Sequence, residues 1–143
     1  MKTWFVALVI SWLALPTFAG QFKTIKDVEV HYSAFNSTFL TPQVASSYKL
    51  KRSGYSAILN ISLLDRSQAG KPAISGKVTG STRNLIGQIR DLTFREVKEG
   101  DAIYYLAEFT ISNEENINFN IDIDAGNQGK GTLKFTQKFY VEE

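Results

Sequence analysis

Hydrophobic and polar positions alternate with a period of two through most of the chain after residue 20. The cleanest stretch is 116–125, where Ile117, Phe119, Ile121 and Ile123 take one face and Asn116, Asn118, Asn120, Asp122 and Asp124 the other. Strict alternation of this kind marks a half-buried strand. The run Gly126-Asn127-Gln128-Gly129-Lys130-Gly131 that follows is turn chemistry, and 132–141 then alternates again with Leu133, Phe135, Phe139 and Val141 on one side. Placing Asp124 opposite Thr132 sets Asp122 beside Lys134, Ile121 against Phe135 and Ile117 against Phe139, so both faces match in one hairpin register.

Upstream, Val28, Val30, Tyr32 and Ala34 alternate with Glu29, His31, Ser33 and Phe35. Tyr55, Ala57, Leu59, Ile61 and Leu63 form a second apolar row, and Ile103, Tyr105, Ala107, Phe109 and Ile111 form the strongest one. A shorter strand is expected over 73–78. Segments 88–97 and 102–112 read as a hairpin around Lys98-Glu99-Gly100-Asp101. A Glu99-Gly100 loop puts Phe94 opposite Tyr105, a Lys98-Glu99-Gly100 loop puts it opposite Tyr104, and the pattern does not choose between them. One short helix is predicted, because Thr41 offers a capping hydroxyl and Pro42 suits the first helical position; it ends by Tyr48. About seven strands with one short helix predict an all-β fold, an immunoglobulin-like antiparallel sandwich in a single domain over 20–143.

Ahead of that domain the pattern changes. Lys2 is followed by an apolar run from Trp4 to Leu15, then Pro16 and Thr17-Phe18-Ala19. This is the three-part pattern of a secretory signal peptide over residues 1–19, with cleavage expected after Ala19. The run is shorter than the roughly 20 residues a membrane span needs, so no stable membrane insertion is expected after cleavage.

Composition narrows the chemistry. The 143 residues are 43% hydrophobic and 21% charged, an ordinary globular mix. Sixteen Lys and Arg against 14 Asp and Glu leave a net charge of +2, too little to favour nucleic acid. There are no cysteines and one histidine. Disulfides, thiolate catalysis and Cys-ligated metals are thereby excluded, as is a His-rich metal site within one chain. The oxygens of Asp122-Ile123-Asp124-Ala125-Gly126-Asn127 have a partial likeness to a calcium loop. Position five is Gly126, however, and no glutamate stands at position twelve, so no metal and no cofactor are expected.

Several segments together carry a family likeness. They are His31-Tyr32-Ser33-Ala34-Phe35-Asn36-Ser37-Thr38-Phe39-Leu40, Asn84-Leu85-Ile86-Gly87-Gln88, Phe94-Arg95-Glu96-Val97, Glu99-Gly100-Asp101-Ala102-Ile103-Tyr104-Tyr105, Phe109-Thr110-Ile111-Ser112-Asn113-Glu114-Glu115 and Phe135-Thr136-Gln137-Lys138-Phe139-Tyr140. The chain resembles the bacterial family called domain of unknown function 4426 over nearly its whole length after residue 20. The resemblance implies a small periplasmic protein with an immunoglobulin-like sandwich, and it implies no activity.

The candidate binding residues are His31, Tyr32, Asn36, Ser37 and Thr38. Histidine changes charge near neutral pH, and this stretch mixes aromatics with short donors and acceptors between the first strand and the helix. No G-x-S-x-G elbow positions a serine nucleophile, so no catalytic residue is assigned and a hydrolase using His31 ranks last. The expected function is a non-catalytic binding or protein-interaction module whose partner is a periplasmic or envelope protein or a small ligand. A carrier of a small apolar ligand is the alternative.

Overall fold

In the computed structural model of the chain, residues 21–142 are described; the expected export signal and its cleavage site lie outside them. Among the described residues nine strands form: β1 (Phe22–Ile25), β2 (Val28–Asn36), β3 (Ser56–Asp65), β4 (Lys77–Asn84), β5 (Ile89–Leu92), β6 (Arg95–Glu99), β7 (Ala102–Thr110), β8 (Glu115–Asp124) and β9 (Lys130–Phe139). One helix, α1 (Pro42–Ser47), lies between β2 and β3. As predicted, the Thr41 hydroxyl accepts from the Val44 N–H at 3.2 Å, and Pro42 opens the helix. The strands make two antiparallel sheets, ordered β1-β2-β3-β7-β6 and β5-β4-β8-β9. The architecture is an all-β sandwich.

The inward rows are those the alternation assigns, except that Tyr55 precedes β3 and is exposed. Val28, Val30, Ala57, Leu59, Ile61 and Leu63 come from one sheet, and Ile117, Phe119, Ile121, Ile123, Leu133 and Phe139 from the other; all are buried. Aromatic rings fill the middle. Phe119 stacks on Phe135 with centroids 4.5 Å apart, and Phe109 meets Phe119 and Phe139 edge-on at 5.4 and 5.3 Å. Tyr32 joins this layer against Phe135 at 4.6 Å.

Four expectations need correction. The β8–β9 register is displaced by two residues: Asp124 pairs with Lys130, Asp122 with Thr132, Ile121 with Leu133 and Phe119 with Phe135. The loop closes early because a 3-10 turn over Gly126–Gln128 lets the Ala125 N–H bond the Gly129 carbonyl at 2.8 Å. An even displacement keeps every side chain on its expected face. The 88–97 run is not one strand, since β5 belongs to the four-stranded sheet and β6 to the five-stranded one, with Thr93-Phe94 crossing between them. Its hairpin takes neither expected loop: Glu99 pairs with Ala102 across Gly100-Asp101, with Gly100 at φ +60°. Finally, the strand expected at 73–78 starts later and runs to Asn84, leaving Ala73 as a lone bridge to Leu64.

Candidate functional site

The outer face of the five-stranded sheet is only half covered. The 37–55 excursion folds over one half, and Ala45 and Leu50 bury Ile58 and Leu106 with Phe35, Leu40, Tyr48, Val97 and Tyr104 around them. The other half stays open. There β3 and β7 part company: their ladder runs from Ser56/Thr110 to Ile61/Tyr105 and stops. Beyond that point the segment after Pro72 takes the place beside β3. The Asp65 N–H bonds the Pro72 carbonyl and the Ile74 N–H bonds the Leu63 carbonyl, both at 2.9 Å. The Tyr105 hydroxyl braces the parting, accepting from the Gly76 N–H at 2.9 Å and donating to Glu96 at 2.7 Å. Burial, reinforced by Glu96, pushes its phenol above the usual tyrosine value against the opposing Gly76 bond.

The result is a groove of about 350 Å³. Its floor is Ser33 from β2 with Asn60, Ser62 and Leu64 from β3; Ala102, Ile103 and Tyr104 from β7 form one wall, and Gln21, His31, Tyr32 and Ala73 complete it. The Asn60 Oδ1 atom is buried and has no hydrogen-bond partner among the described residues. Tyr104 belongs both to this groove and to the cluster under α1, so it marks the border between the covered and open halves.

A charged cluster adjoins the groove. His31 Nε2 lies 2.9 Å from Glu29, and its ring stacks on Phe22 with centroids 5.0 Å apart. Lys71 Nζ reaches the other Glu29 oxygen at 2.7 Å. Glu29 sits on the outward row of β2 yet is only 6% exposed. The Lys71 ammonium, and after it the His31 ring, hold its carboxyl below the usual glutamate value, against the opposing effect of burial.

The structure separates the five sequence-predicted residues. His31 and Tyr32 line the groove, with the Tyr32 ring turned into the core. Asn36, Ser37 and Thr38 lie at the far end of β2, about 16 Å along the strand from His31 at roughly 3.3 Å per residue. The Asn36 and Ser37 side chains serve the chain itself, whereas the Thr38 hydroxyl is buried with no hydrogen-bond partner among the described residues. Asn36 Nδ2 donates to the Tyr140 carbonyl at 2.7 Å; the Ser37 hydroxyl, 1% exposed, meets the Ser53 backbone and Ser56 Oγ; and the Thr38 carbonyl accepts from Arg52. Sequence reasoning missed Asn60, Ser62 and Tyr104. The polar positions of β3 read as an ordinary wet face, and nothing local signals that β7 leaves it. Among the described residues no group of three or more His, Asp or Glu side chains is placed to hold a metal ion.

Comparison with known proteins gives the family and the fold. Residues 22–142 match the family described as Domain of unknown function (DUF4426). The crystal structure of a DUF4426 family protein from Pseudomonas aeruginosa is similar, with 37% identity, 86% of this chain and 96% of that chain covered, and a TM-score of 0.75. FetP of uropathogenic Escherichia coli strain F11, expressed recombinantly in the periplasm, shares the fold at 14% identity, with 87% and 96% covered and a TM-score of 0.57. A copper-bound single-residue variant of the same FetP gives 14% identity, 87% and 92% covered, and a TM-score of 0.59. A comparison with curated proteins gives no match. With the family match spanning all but the first of the described residues, the chain belongs to the DUF4426 family.

Proposed function

We propose that this domain is a non-catalytic binding module of the bacterial envelope, exported to the periplasm, and that the open half of its five-stranded sheet is the binding surface. One observation carries the reading: the groove at the parting of β3 and β7 is lined by Asn60, whose buried acceptor no described residue matches. A buried acceptor without a partner costs about 1–3 kcal/mol, and a ligand donor at that point recovers it. A groove of about 350 Å³ stands at the small end of ligand sites, which run from about 300 to 1,000 Å³. It suits a small polar-and-apolar ligand or a protruding side chain of a protein partner. The sandwich interior is occupied by its own Phe and Ile side chains, which weighs against carriage of an apolar ligand between the sheets.

His31 and Glu29 are engaged with Lys71 and Phe22, and this placement supports orientation of a ligand rather than acid–base work. Copper carriage is not part of the reading. The likeness to FetP is one of fold, and the two donors brought together here, His31 and Glu29, include a carboxylate already held by a lysine.

The test is affinity capture from an envelope extract with the wild-type protein and with Ser62→Trp, which fills the groove. Mass spectrometry would identify the retained proteins and small molecules. The expected result is a component retained by wild type and lost in the variant at unchanged melting temperature. Identical retention by both proteins would overturn the assignment.

A further inference from the structure

The two ends of the sandwich differ in surface chemistry. One end gathers the β1–β2, β6–β7 and β8–β9 turns and the β3–β4 connection. The other gathers the β4–β5 turn, the 111–114 connection, the start of β3 and the segments after β2 and β9. Phe39, Tyr55, Leu85, Ile86, Ile89 and Tyr140 are exposed at this second end; the other exposed large apolar side chains among the described residues are Phe22 on edge strand β1, stacked on His31, and Val44 on α1. Leu85 and Ile86 are the most exposed, at 76% and 81%.

These two are held out by construction. The Gln88 N–H donates to Asn84 Oδ1 and Asn84 Nδ2 donates to Gln88 Oε1, both at 2.9 Å. The Gly87 N–H bonds the Asn84 carbonyl at 3.1 Å, with Gly87 at φ +88°. The polar side chains of the turn are thus spent on bracing it, and its apolar ones face solvent, the reverse of an ordinary turn. Arg83 and Arg90 stand exposed on the two strands behind the tip, with Arg90 donating to the Thr110 hydroxyl; no carboxylate occurs from Thr82 to Arg90, and of those elsewhere at this end Glu114 pairs with Lys138 and Glu115 accepts from the Ser112 N–H, while Glu142 follows β9. Neither arginine forms an ion pair among the described residues.

We propose that this end is a peripheral membrane-contact surface, with Leu85 and Ile86 entering the interfacial region of a lipid surface and Arg83 and Arg90 meeting anionic headgroups. Two features favour lipid over a protein partner. The apolar side chains come from several segments, the β4–β5 turn, the start of β3 and the stretches after β2 and β9, and line no common groove; a fluid interface accepts such scattered protrusions, whereas a protein would need a surface matched to all of them. The cations sit directly behind the apolar tip, at headgroup depth when the tip is immersed, and Tyr55 and Tyr140 add amphipathic rings suited to that boundary.

The test is co-sedimentation of the exported protein with vesicles of phosphatidylethanolamine and phosphatidylglycerol, and with vesicles of phosphatidylcholine alone. Binding is expected to the anionic vesicles, to weaken with added salt, and to fall at least tenfold in Leu85→Asn/Ile86→Asn at unchanged melting temperature. Arg83→Gln/Arg90→Gln should remove the preference for anionic vesicles, while Ser62→Trp in the groove leaves vesicle binding intact. Absence of binding to the anionic vesicles, or equal binding by the Leu85/Ile86 variant, would overturn the proposal. So would self-association in sedimentation velocity that the same variant abolishes, since a second copy would then cover this end.

Discussion

A carboxylate that is 1% exposed stays charged only if its oxygens are filled, and at Asp65 four donors fill them. The Ser67 hydroxyl and Ser67 N–H reach Oδ1 at 2.6 and 2.9 Å, while Gln68 and Gln128 reach Oδ2 at 3.1 and 2.8 Å. The Ser67 hydroxyl above all, then the Ser67 N–H, with Gln68 and Gln128 adding to them, hold the carboxyl below the usual aspartate value, against the effect of burial. The sign of the pH dependence follows. The unfolded chain takes up the proton first, so this contribution to stability is complete above the ordinary aspartate value of about 3.9 and is lost as pH falls below it. Urea melts from pH 7 to pH 2.5 should show a wild-type acid limb that Asp65→Asn flattens; parallel profiles would remove Asp65 from the account. The opposed rows of β8 give a second expectation at this scale. Phe119→Ala should cost about 3–5 kcal/mol and Asn118→Ala under about 0.5, since one side chain fills the aromatic core and the other faces water. Equal losses in urea melts would mean the faces are assigned wrongly. Ser37→Ala should likewise lower the melting temperature without altering capture, because its hydroxyl serves Ser53 and Ser56.

Elements were legible where one segment carried both its own pattern and its own stop signal. The helix is such a case, with Thr41, Pro42 and an end at Tyr48 all readable locally. The β8–β9 hairpin was legible in face and not in register, because several glycines compete to make the turn and only the Ala125–Gly129 bond decides among them. The 88–97 run shows the opposite limit. Its residues alternate well enough to pass as one strand, yet the middle bends so that two edge strands form in different sheets, a choice made by partners distant in sequence. Close backbone approach is also invisible locally. A methyl on Gly54 would stand 1.5 Å from the Glu142 carbonyl oxygen, where the chain after β9 docks. Gly54→Ala should therefore detach residues 140–142. Amide exchange at Glu142, whose N–H bonds the Gly54 carbonyl at 3.2 Å, is the readout, and unchanged protection there would contradict this docking.

For the whole molecule, the two-sheet sandwich could be read from alternation alone, but the groove could not. His31 and Tyr32 pointed toward it, while Asn36, Ser37 and Thr38 lie at the other end of the same strand. The groove exists because β7 leaves β3 at Ile61/Tyr105 and the Pro72–Ile74 segment takes its place, an exchange between stretches far apart in sequence. The outer polar row of β3 acquires its meaning only from that exchange. Export is a separate expectation at this scale: the intact mass of the protein from a periplasmic fraction should lack the first nineteen residues, and a full-length mass in membranes would contradict it.

The central claim is that the open half of the five-stranded sheet binds a ligand, and amide chemical shifts of the isotope-labelled protein test it most directly. Titration with the component retained from envelope extract should move resonances of Ser33, Asn60, Ser62, Ala102 and Tyr104. The same titration of Ser62→Trp should leave them still. Shifts confined to the outer face of the four-stranded sheet, or shifts in the Ser62→Trp protein equal to those of wild type, would contradict the account.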